Sequence, residues 1–497
     1  MDLERFRLRR FLESLPAEEL QRVGASTALG DVAAVHEGNA KAVWFANAGG
    51  AELAANVCAS RSRLALAFDT TPDRLLATVL ARLGAAQAVL EVERAPAQEV
   101  VEEDPDLTAL PVHLQHAYDG APYISASMDF TRDAAGERTN VGIRRLMLRG
   151  RREAGVDLNA PSDLQAIYRA ALARGERLPI AFVVGSHPVD HVAAAMRLPG
   201  DELLLMAALR GAALPVVKCR TSDLRVPADA EYVLEGYLDE RGYVEAEGPY
   251  GEFLGYYGAL KTNPVFHLAA VTRRRDAIFQ AATISGRTLA RTDTAQLNAL
   301  RVEVSVWRAL EPVGEVRAVY ATPSSGGAFN VRVALRQRIA GEARVAIGAV
   351  FATPVNVKHV FVVDPDVDVF SDEQIDWALA TRFQAERDLI VAGGFRAMPL
   401  DPSLLGARTG SKAGFDLTLK DGMDSRRPLP PSYEGRRFDS LEAALADGPK
   451  FFVELMSARG SRDGREIVRE LEELRTSGRL ERDAEGRYVH RPPARAR

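Results

Sequence analysis

Apolar runs separated by charged or glycine- and proline-bearing turns follow one another along most of the chain. The early runs "AVWFANAG" (42–49) and "RLALAF" (63–68) are typical of strands, whereas "PDRLLATVLARLGAAQ" (72–87) repeats its apolar residues with the helical period. A strand that leads into a helix predicts an N-terminal α/β domain over residues 1–112. The acidic, proline-punctuated stretch at 101–115 is typical of a linker.

Residues 113–310 change to short β-rich runs separated by turns, a pattern that predicts a β-barrel or a β-sandwich. Two helices interrupt the runs, one over 162–175 with Ser162 as its N-cap and one over 202–212. The predicted strands are "LPIAFVVG" (178–185), "LPVVKC" (214–219), "EYVLEGYL" (231–238), "VFHLAAVTRR" (265–274) and "AIFQAATI" (277–284).

Residues 311–440 are predicted to form a second α/β domain, because apolar strand-like runs alternate there with helical stretches. A helix over 371–388 follows the last predicted strand. The strand-like runs are "VRVALRQRIA" (331–340), "ARVAIGAVFA" (343–352) and "VKHVFVVDPDVDVF" (357–370).

Residues 441–497 are predicted to be a separate helical and hairpin tail. A helix followed by a glycine-turned hairpin is expected over 464–491, an arrangement faintly similar to a winged helix-turn-helix. Its charge is mixed rather than strongly basic, which favours a packing or oligomer-contact module over a regulatory contact with nucleic acid.

Length and composition restrict the class of protein. The chain has 497 residues, 47% of them hydrophobic and 26% charged, with a net charge of −5, which predicts a globular protein of several domains without a nucleic-acid or membrane surface. Its charged start lacks the apolar core of a signal peptide, and no apolar run approaches the roughly 18 residues of a membrane span. The two cysteines, Cys58 and Cys219, give no disulfide framework. We therefore predict a soluble cytoplasmic protein.

The common catalytic motifs are missing from the sequence, including GxSxG, HExxH, CxxC, GxxxxGK[ST] and a GxGxxG that opens a helix. The pairs His113/His116 and His187/His191 have a spacing compatible with a metal. Neither pair has a nearby set of acids or cysteines that would complete a site, so we predict that they are not ligands.

The segment "EGPYGE" sets Glu247 and Glu252 on either side of a Gly-Pro-Tyr-Gly centre that favours neither regular helix nor regular strand. By itself the segment is compatible with a solvated turn. A functional interpretation is also open, because an arginine between two glutamates makes a coupled acid–base network in which one acid can be held protonated.

Further polar residues lie in apolar surroundings. The segment "TNVGIRRLML" (139–148) carries Asn140 and Arg145, whose planar guanidinium suits carboxylates. Glu202 opens a hydrophobic helix, where the helix dipole alone favours a carboxylate, so a purely structural role stays open. Asparagine, glutamate and a phosphate would together form an oxygen-rich site for Mn²⁺ or Mg²⁺.

Four segments occur in the order seen in the UbiD family, the prenylated-FMN-dependent decarboxylases of aromatic and α,β-unsaturated acids. The resemblance covers roughly residues 100–420 and is most specific over 216–257. It implies an N-terminal α/β domain, a central split β-barrel of flavin-reductase type and a C-terminal α/β domain that mediates dimerisation. The segments are "TNVGIRR" (139–145), "VVKCRTSDLRVPADAEYVLEG" (216–236), "EGPYGEFLGYY" (247–257) and "VKHVFVVDPDVDVF" with the following "DWALATR" (357–382).

The resemblance implies roles for individual residues. Glu247, Arg145 and Glu252 match the family's catalytic Glu–Arg–Glu network, in which Arg145 would orient the substrate carboxylate, Glu252 would protonate the carbon and Glu247 would hold Arg145. Asn140 and Glu202 match the ligands of a divalent metal tied to the cofactor phosphate. Ile143, Arg144 and Arg145 match the stretch that lies on the flavin.

The sequence departs from the family at a metal-binding histidine, since Ser162 and Asp163 occupy the matching positions. Asp163 would either replace the histidine as a ligand or cap the helix. A potassium site of some members, built from backbone carbonyls, maps to Ala193, Ala194, Met196 and Arg382.

The resemblance thus implies a reversible, non-oxidative decarboxylase that uses prenylated FMN with Mn²⁺ or Mg²⁺. Met398 and Leu400 match the pocket-lining segment, and two apolar side chains suit an aromatic or heteroaromatic acid that releases CO₂. A flavin prenyltransferase would supply the cofactor, and the chain is expected to form a homodimer or a higher homo-oligomer. The alternative is a non-catalytic flavin-binding or assembly subunit of a multi-protein decarboxylase, against which the intact pair of glutamates argues.

Overall fold

The computed structural model describes residues 2–133, 135–420, 422–423 and 426–491. The helices are α1 (Leu8–Ser14), α2 (Leu29–His36), α3 (Arg61–Ala67), α4 (Leu75–Leu83), α5 (Asp163–Ala173), α6 (Pro188–Ala195), α7 (Glu202–Arg210), α8 (Asp293–Leu310), α9 (Glu342–Phe351), α10 (Asp372–Arg382), α11 (Ala385–Asp388), α12 (Leu441–Ala446), α13 (Phe452–Arg459) and α14 (Gly464–Thr476). The strands are β1 (Leu20–Val23), β2 (Ala42–Ala48), β3 (Ala51–Ala55), β4 (Val89–Glu91), β5 (Val100–Val101), β6 (Tyr123–Arg132), β7 (Thr139–Leu148), β8 (Glu153–Val156), β9 (Leu178–Val184), β10 (Leu214–Lys218), β11 (Arg225–Pro227), β12 (Tyr232–Leu238), β13 (Glu245–Glu247), β14 (Tyr250–Gly251), β15 (Tyr257–Gly258), β16 (Lys261–Asn263), β17 (Val265–Arg273), β18 (Ile278–Ala281), β19 (Glu315–Ala321), β20 (Asn330–Arg336), β21 (His359–Val363), β22 (Leu389–Arg396), β23 (Thr409–Asp416), β24 (Leu480–Arg482) and β25 (Tyr488–His490).

A closed six-stranded barrel forms the centre of the first compact unit, which lies within residues 1–420. Its strand order is β12-β9-β6-β7-β8-β17, and β12 pairs again with β17, which closes the sheet. Closure leaves these strands without free edges. The barrel is filled by alternate apolar side chains, such as Phe182 and Phe266, whose rings meet edge to face at 4.9 Å. The predicted barrel is therefore confirmed over the sandwich.

Two predicted strands of the central region lie outside this barrel. The run at 214–219 forms β10, which pairs with β4 and β11 in a separate three-stranded sheet. The run at 277–284 forms β18, which pairs in parallel with β3 and completes the sheet β1-β2-β3-β18. Each of these two sheets therefore combines strands from the predicted N-terminal region with strands from the predicted central region. The domain boundaries at 112 and 310 stay predictions.

The prediction of a strand at 63–68 was wrong, because these residues lie in helix α3 and the phenylalanine after it. Ser60 caps the helix by accepting a hydrogen bond from the Arg63 amide at 3.1 Å. Leucine, alanine and arginine are strong helix formers, so the apolar run takes the helical form. The run at 343–352 was likewise helical, as part of α9.

The C-terminal α/β region confirms the mixed α/β class but not every predicted element. Its five-stranded sheet has the order β19-β20-β21-β23-β22. The helix predicted over 371–388 breaks between α10 and α11, and two strands, β22 and β23, follow it where none was expected.

The second compact unit lies within residues 421–497. The helix of the tail is α14, and β24 pairs antiparallel with β25 in the expected hairpin. Buried Leu455, Ile467 and Leu471 hold α13 and α14 together. Every helix in the described residues is too short or too polar to span a bilayer.

Candidate active site

Strand β7 carries an arginine that contacts both glutamates of the "EGPYGE" segment. Arg145 Nε donates a hydrogen bond to Glu247 Oε1 at 3.0 Å, and Nη1 donates to Glu252 Oε1 at 2.9 Å. Both carboxylates are buried, with exposed side-chain fractions of 1% for Glu247 and 7% for Glu252. The segment therefore directs two buried carboxylates toward one guanidinium. In a solvated turn, the alternative interpretation, both would be exposed to water.

The bend of the segment is held from the loop that precedes the barrel. The Gly248–Pro249 peptide is cis, and Gly120 N donates to the Pro249 carbonyl at 2.8 Å. A Cβ on Gly120 would lie 2.2 Å from the Gly248 carbonyl oxygen, so only glycine fits there. Asp119 accepts from Gly251 N at 2.9 Å, which anchors β14.

The guanidinium of Arg145 is fixed from other directions as well. It lies 4.4 Å from the centre of the Tyr250 ring, a cation–π contact. Asn263 donates to Glu247 Oε2 at 3.1 Å and thereby holds the glutamate that holds the arginine. These contacts keep Glu247 and Arg145 in one orientation.

A third carboxylate, missed in the sequence, completes the cluster. Asp157 Oδ2 lies 2.9 Å from Arg145 Nη2. Although burial acts in the opposite direction, the charges of Arg145 and Lys261 lower the pKa of Asp157. Asp157 directly follows β8, which pairs with β7 in the barrel. Its place at the end of that strand is the feature of the sequence from which its proximity to Arg145 could have been predicted.

Glu252 has the electrostatics of a proton donor. Burial raises its pKa above the ordinary value, Arg145 opposes this rise, and the negative charge of Asp157 adds to it. The carboxyl group therefore keeps its proton to a higher pH than a solvated glutamate does.

Oxygen-bearing side chains surround the start of β7. Glu202 Oε2 accepts a short hydrogen bond from Val141 N, and Asn140 donates through Nδ2 to Asp129 at 3.2 Å, which keeps its Oδ1 as an acceptor. Burial raises the pKa of Glu202 to about 8; the Val141 amide opposes the shift, and the charges of Asp129 and Asp163 add to it. A cation bound among these oxygens would relieve this accumulation of negative charge.

Ser162, rather than Asp163, caps helix α5. Ser162 Oγ accepts from Gln165 N at 3.3 Å and from Arg144 Nη2 at 3.2 Å. Asp163 is exposed in the first turn, so its carboxylate is available to a ligand.

One cavity of about 740 Å³ joins these groups. It falls within the range of pockets that enclose small ligands, roughly 300–1,000 Å³. Of the residues predicted from the sequence it is lined by Asn140, Ile143, Arg144, Arg145, Ser162, Asp163, Ala194, Met196, Glu202 and Glu252.

The donor set fits a phosphorylated flavin with a divalent metal. Asn140, Asp163 and Glu202 offer the oxygen ligands that Mn²⁺ and Mg²⁺ prefer. Arg144 also lines the cavity; its Nε lies 3.3 Å from Asp129 Oδ1 and its Nη2 donates to Ser162 Oγ, so a guanidinium held from two sides faces the place where a phosphate would bind. No cluster of three His, Cys, Asp or Glu side chains is preformed for a metal in the described part of the chain, so an asparagine and a phosphate would have to complete the shell.

Other predicted residues lie elsewhere. Met398 lines a second cavity of about 220 Å³, and Leu400 packs against the main core. Arg382, at the end of α10, is buried and paired with Asp366 at 2.5 Å, whereas Ala193 lies near the end of α6. The roles of these four residues stay predictions.

The two histidine pairs do not form chelating pairs. His113 Nε2 lies 3.0 Å from His36 Nε2, and His116 is bonded to Asp119 at 3.0 Å. His187 caps α6 by accepting from Val189 N, and buried His191 lies in the wall of the main cavity.

Family models match most of the chain. The N-terminal, Rift-related and C-terminal domains of 3-octaprenyl-4-hydroxybenzoate carboxy-lyase match residues 30–83, 89–288 and 295–417. The chain is 31% identical over 377 residues to the anhydromevalonate phosphate decarboxylase of Methanosarcina mazei, which covers 76% of this chain and 87% of that protein.

Solved structures agree with this match. The UbiD-class enzyme HmfF from Pelotomaculum thermopropionicum in complex with FMN superposes with a TM-score of 0.80 at 30% identity, over 86% of this chain and 97% of that chain. An evolved dimeric form of HmfF is known in complex with prFMN. The vanillic acid decarboxylase of Sedimentibacter hydroxybenzoicus in open form superposes with a TM-score of 0.78 at 28% identity, over 86% and 95%. The chain therefore belongs to the UbiD family of decarboxylases.

Proposed function

We propose that the protein is a reversible, non-oxidative decarboxylase of an aromatic or heteroaromatic carboxylic acid that uses prenylated FMN and a divalent metal, Mn²⁺ or Mg²⁺. The observation that carries the proposal is Arg145, bound between Glu247 and Glu252 in the wall of a cavity large enough for a flavin. A non-catalytic assembly subunit would have no need for a buried carboxyl group with a raised pKa beside that arginine.

Residues around the start of β7 would hold the cofactor. Asn140, Glu202 and Asp163 would bind the metal, and Arg144 and Ser162 would bind the phosphate, since they line one part of the same cavity wall. Ile143 would lie against the ring system. The carbonyls of Ala193, Ala194, Met196 and Arg382 are the proposed ligands of a potassium ion.

Two residues would act on the substrate, and Glu247 would hold one of them in place. Arg145 orients the substrate carboxylate, because its guanidinium is held rigidly by Glu247 and Tyr250. The cofactor, when bound, supplies a sink for the electrons left on carbon as CO₂ departs. Glu252 then delivers its proton to that carbon, and its raised pKa keeps this proton on the carboxyl group to a higher pH than in a solvated glutamate. Reversal of these steps at high bicarbonate would carboxylate the product.

The aromatic substrate class is supported by the similarity to a vanillic acid decarboxylase. Met398 and Leu400 remain the proposed apolar contacts of the ring, although Met398 lines the smaller cavity. The curated relative is named for anhydromevalonate phosphate, so phosphate-bearing unsaturated acids belong in any screen.

The proposal is tested by producing the protein with and without a flavin prenyltransferase, which would be the supplier of its cofactor. We expect the co-produced protein to carry prenylated FMN by mass spectrometry and Mn²⁺ by elemental analysis, and to release CO₂ from at least one aromatic acid. Decarboxylation by a preparation free of flavin would refute the cofactor. A flavin-loaded protein that neither releases CO₂ nor exchanges deuterium into any product would favour the assembly subunit. Light scattering tests the expected homodimer or larger homo-oligomer.

A further inference from the structure

Helix α8 places a charged side chain in the wall of the cavity. Leu297, Asn298 and Arg301 all line it, and their spacing puts them on one face of the helix. The Nε atom of Arg301 is buried and has no hydrogen-bond partner within the described ranges. Among the residues that the structure describes, no carboxylate forms an ion pair with Arg301, and the charge that acts on it is that of Arg197.

The fully buried arginines of the described residues are paired with acids. Arg210 contacts Asp190 and Asp229, each at 2.6 Å, and Arg63 contacts Glu19 at 2.7 Å. Burial and the nearby charge of Arg197 lower the pKa of Arg301 to about 10, which leaves it charged at neutral pH. Arg301 is half-buried, and a cation that is partly removed from water without a counter-ion is costly, so its retention in a ligand cavity indicates that a bound molecule supplies the negative charge.

The position of α8 connects this cation to the proton donor. Phe253, which follows Glu252, packs on Gly326 so closely that a Cβ there would lie 2.8 Å from its ring. Asn298 in turn donates to the Gly326 carbonyl at 3.3 Å. Asn298, three residues before Arg301 on the same helix, is therefore linked to Phe253 through Gly326, and Phe253, Asn298 and Arg301 line one cavity with Glu252.

We propose that Arg301 is a specificity-determining residue that binds a second anionic group of the substrate, a carboxylate or a phosphate, while Arg145 holds the carboxylate that is lost. The inference rests on the proposed function and narrows its substrates to acids with two anionic groups.

The test compares matched pairs of acids on the holoenzyme. One pair is terephthalate and benzoate; the other is an α,β-unsaturated acid with a phosphate at its far end and the same acid with a free hydroxyl. In at least one of the two pairs, we expect kcat/KM to be at least 10-fold higher for the acid with two anionic groups than for the matched acid with one. The pair that shows this preference identifies whether Arg301 binds a carboxylate or a phosphate. Arg301→Gln should lower kcat/KM for that dianion by roughly 10²-fold, mainly through KM, and change the partner acid by less than threefold. Arg308→Gln, an exposed change on the same helix, should change neither.

A binding measurement separates this inference from the proposed function. Calorimetry on protein loaded with ordinary FMN should show tighter binding of the preferred dianion, lost in Arg301→Gln and partly kept in Arg301→Lys. Equal affinity for dianions and monoanions in the parent protein would overturn the inference, and so would loss of flavin from Arg301→Gln, which would assign Arg301 to the cofactor. If no acid is turned over but the dianion still binds through Arg301, the proposed function fails while the inference stands.

Discussion

Asp157 Oδ2 lies 2.9 Å from Arg145 Nη2, on the same guanidinium that contacts Glu247 and Glu252. Three carboxylates thus share one cation, so the cluster favours a bound proton on one of them. Glu252 is the carboxyl group of the three whose pKa is raised. Burial is the main cause, the negative charge of Asp157 adds to the rise, and the positive charge of Arg145 opposes it.

Asp157→Asn should therefore move the pH dependence of catalysis. Removing this negative charge lowers the pKa of Glu252, so the protonated donor disappears at a lower pH and the alkaline limb of the kcat profile shifts toward acid. The measurement is kcat from pH 5 to 9 with saturating substrate. Asp104→Asn, at an exposed ion pair with Arg151, is the matched control and should leave the limb in place. A limb that stays put or moves to higher pH in Asp157→Asn contradicts the assignment.

Glu252→Gln should abolish turnover while the flavin stays bound, because the amide keeps the size of the side chain but delivers no proton. We expect a loss of roughly 10²–10⁴-fold in kcat and no exchange of solvent deuterium into the product. Glu247→Gln should keep part of the activity, since its amide oxygen still accepts from Arg145. Arg145→Lys should be nearly as damaging as Glu252→Gln, because ammonium lacks the bidentate fork. Exchange at close to the parental rate in Glu252→Gln would remove Glu252 as the acid.

Gly258→Ala should impair catalysis without a change at any charged residue. A Cβ on Gly258 would lie 2.8 Å from Glu252 Oε1, the atom that accepts the hydrogen bond of Arg145, so this oxygen must shift. A misplacement of this size costs on the order of 10²-fold in kcat. Flavin content should stay at the parental level. Gly348→Ala, where a Cβ meets nothing within 4 Å, is the control; equal kcat in both variants would show that Glu252 tolerates the shift.

Asp163→Ala should lower metal and flavin content while thermal stability changes little, because Ser162 provides the helix cap. The lost interaction with the helix dipole is worth only about 0.3–1 kcal/mol. Elemental analysis, flavin absorbance and the melting temperature give the readouts. Asp163→Ser should not restore the metal. If it restores metal and flavin fully, the carboxylate is not a ligand.

Arg210→Met should destabilise the protein strongly, because it leaves Asp190 and Asp229 buried without their cation. Removing one partner of a buried pair costs about 3–5 kcal/mol. The urea midpoint should fall accordingly. Arg151→Met, at an exposed pair, should not move it. Equal midpoints in the two variants would mean that the two aspartates are neutral in the folded protein.

The barrel could be predicted from the sequence because its strands are short runs rich in valine, tyrosine and phenylalanine that turns separate, as in 231–238 and 265–274, which form β12 and β17. The failures arise where composition is ambiguous. Alanine- and leucine-rich runs such as 63–68 fit a buried strand or a helix equally well, and only the Ser60 cap decides. Two adjacent glycines interrupt the apolar run of β22, so that strand was missed.

The site shows the same limit. Asn140, Arg145, Glu202 and Glu252 belong to recognisable segments, and the structure brings them into one cavity. Asp157 and Arg301 carry no local motif. Their proximity to the site depends on barrel pairing and on the packing of α8, which one sequence does not reveal.

The parallel pairing of β18 with β3 also sets an order of events during translation. Ile278 pairs with Glu52, so β3 waits for a partner strand made more than 220 residues later. At about 5–20 residues per second, the wait lasts roughly 10 to 45 s. Until then one edge of the N-terminal sheet is open on the ribosome, and an open edge is a template for pairing with other chains. Slower elongation between these strands should therefore increase the yield of aggregated nascent protein, and a chaperone that covers this edge should reduce it.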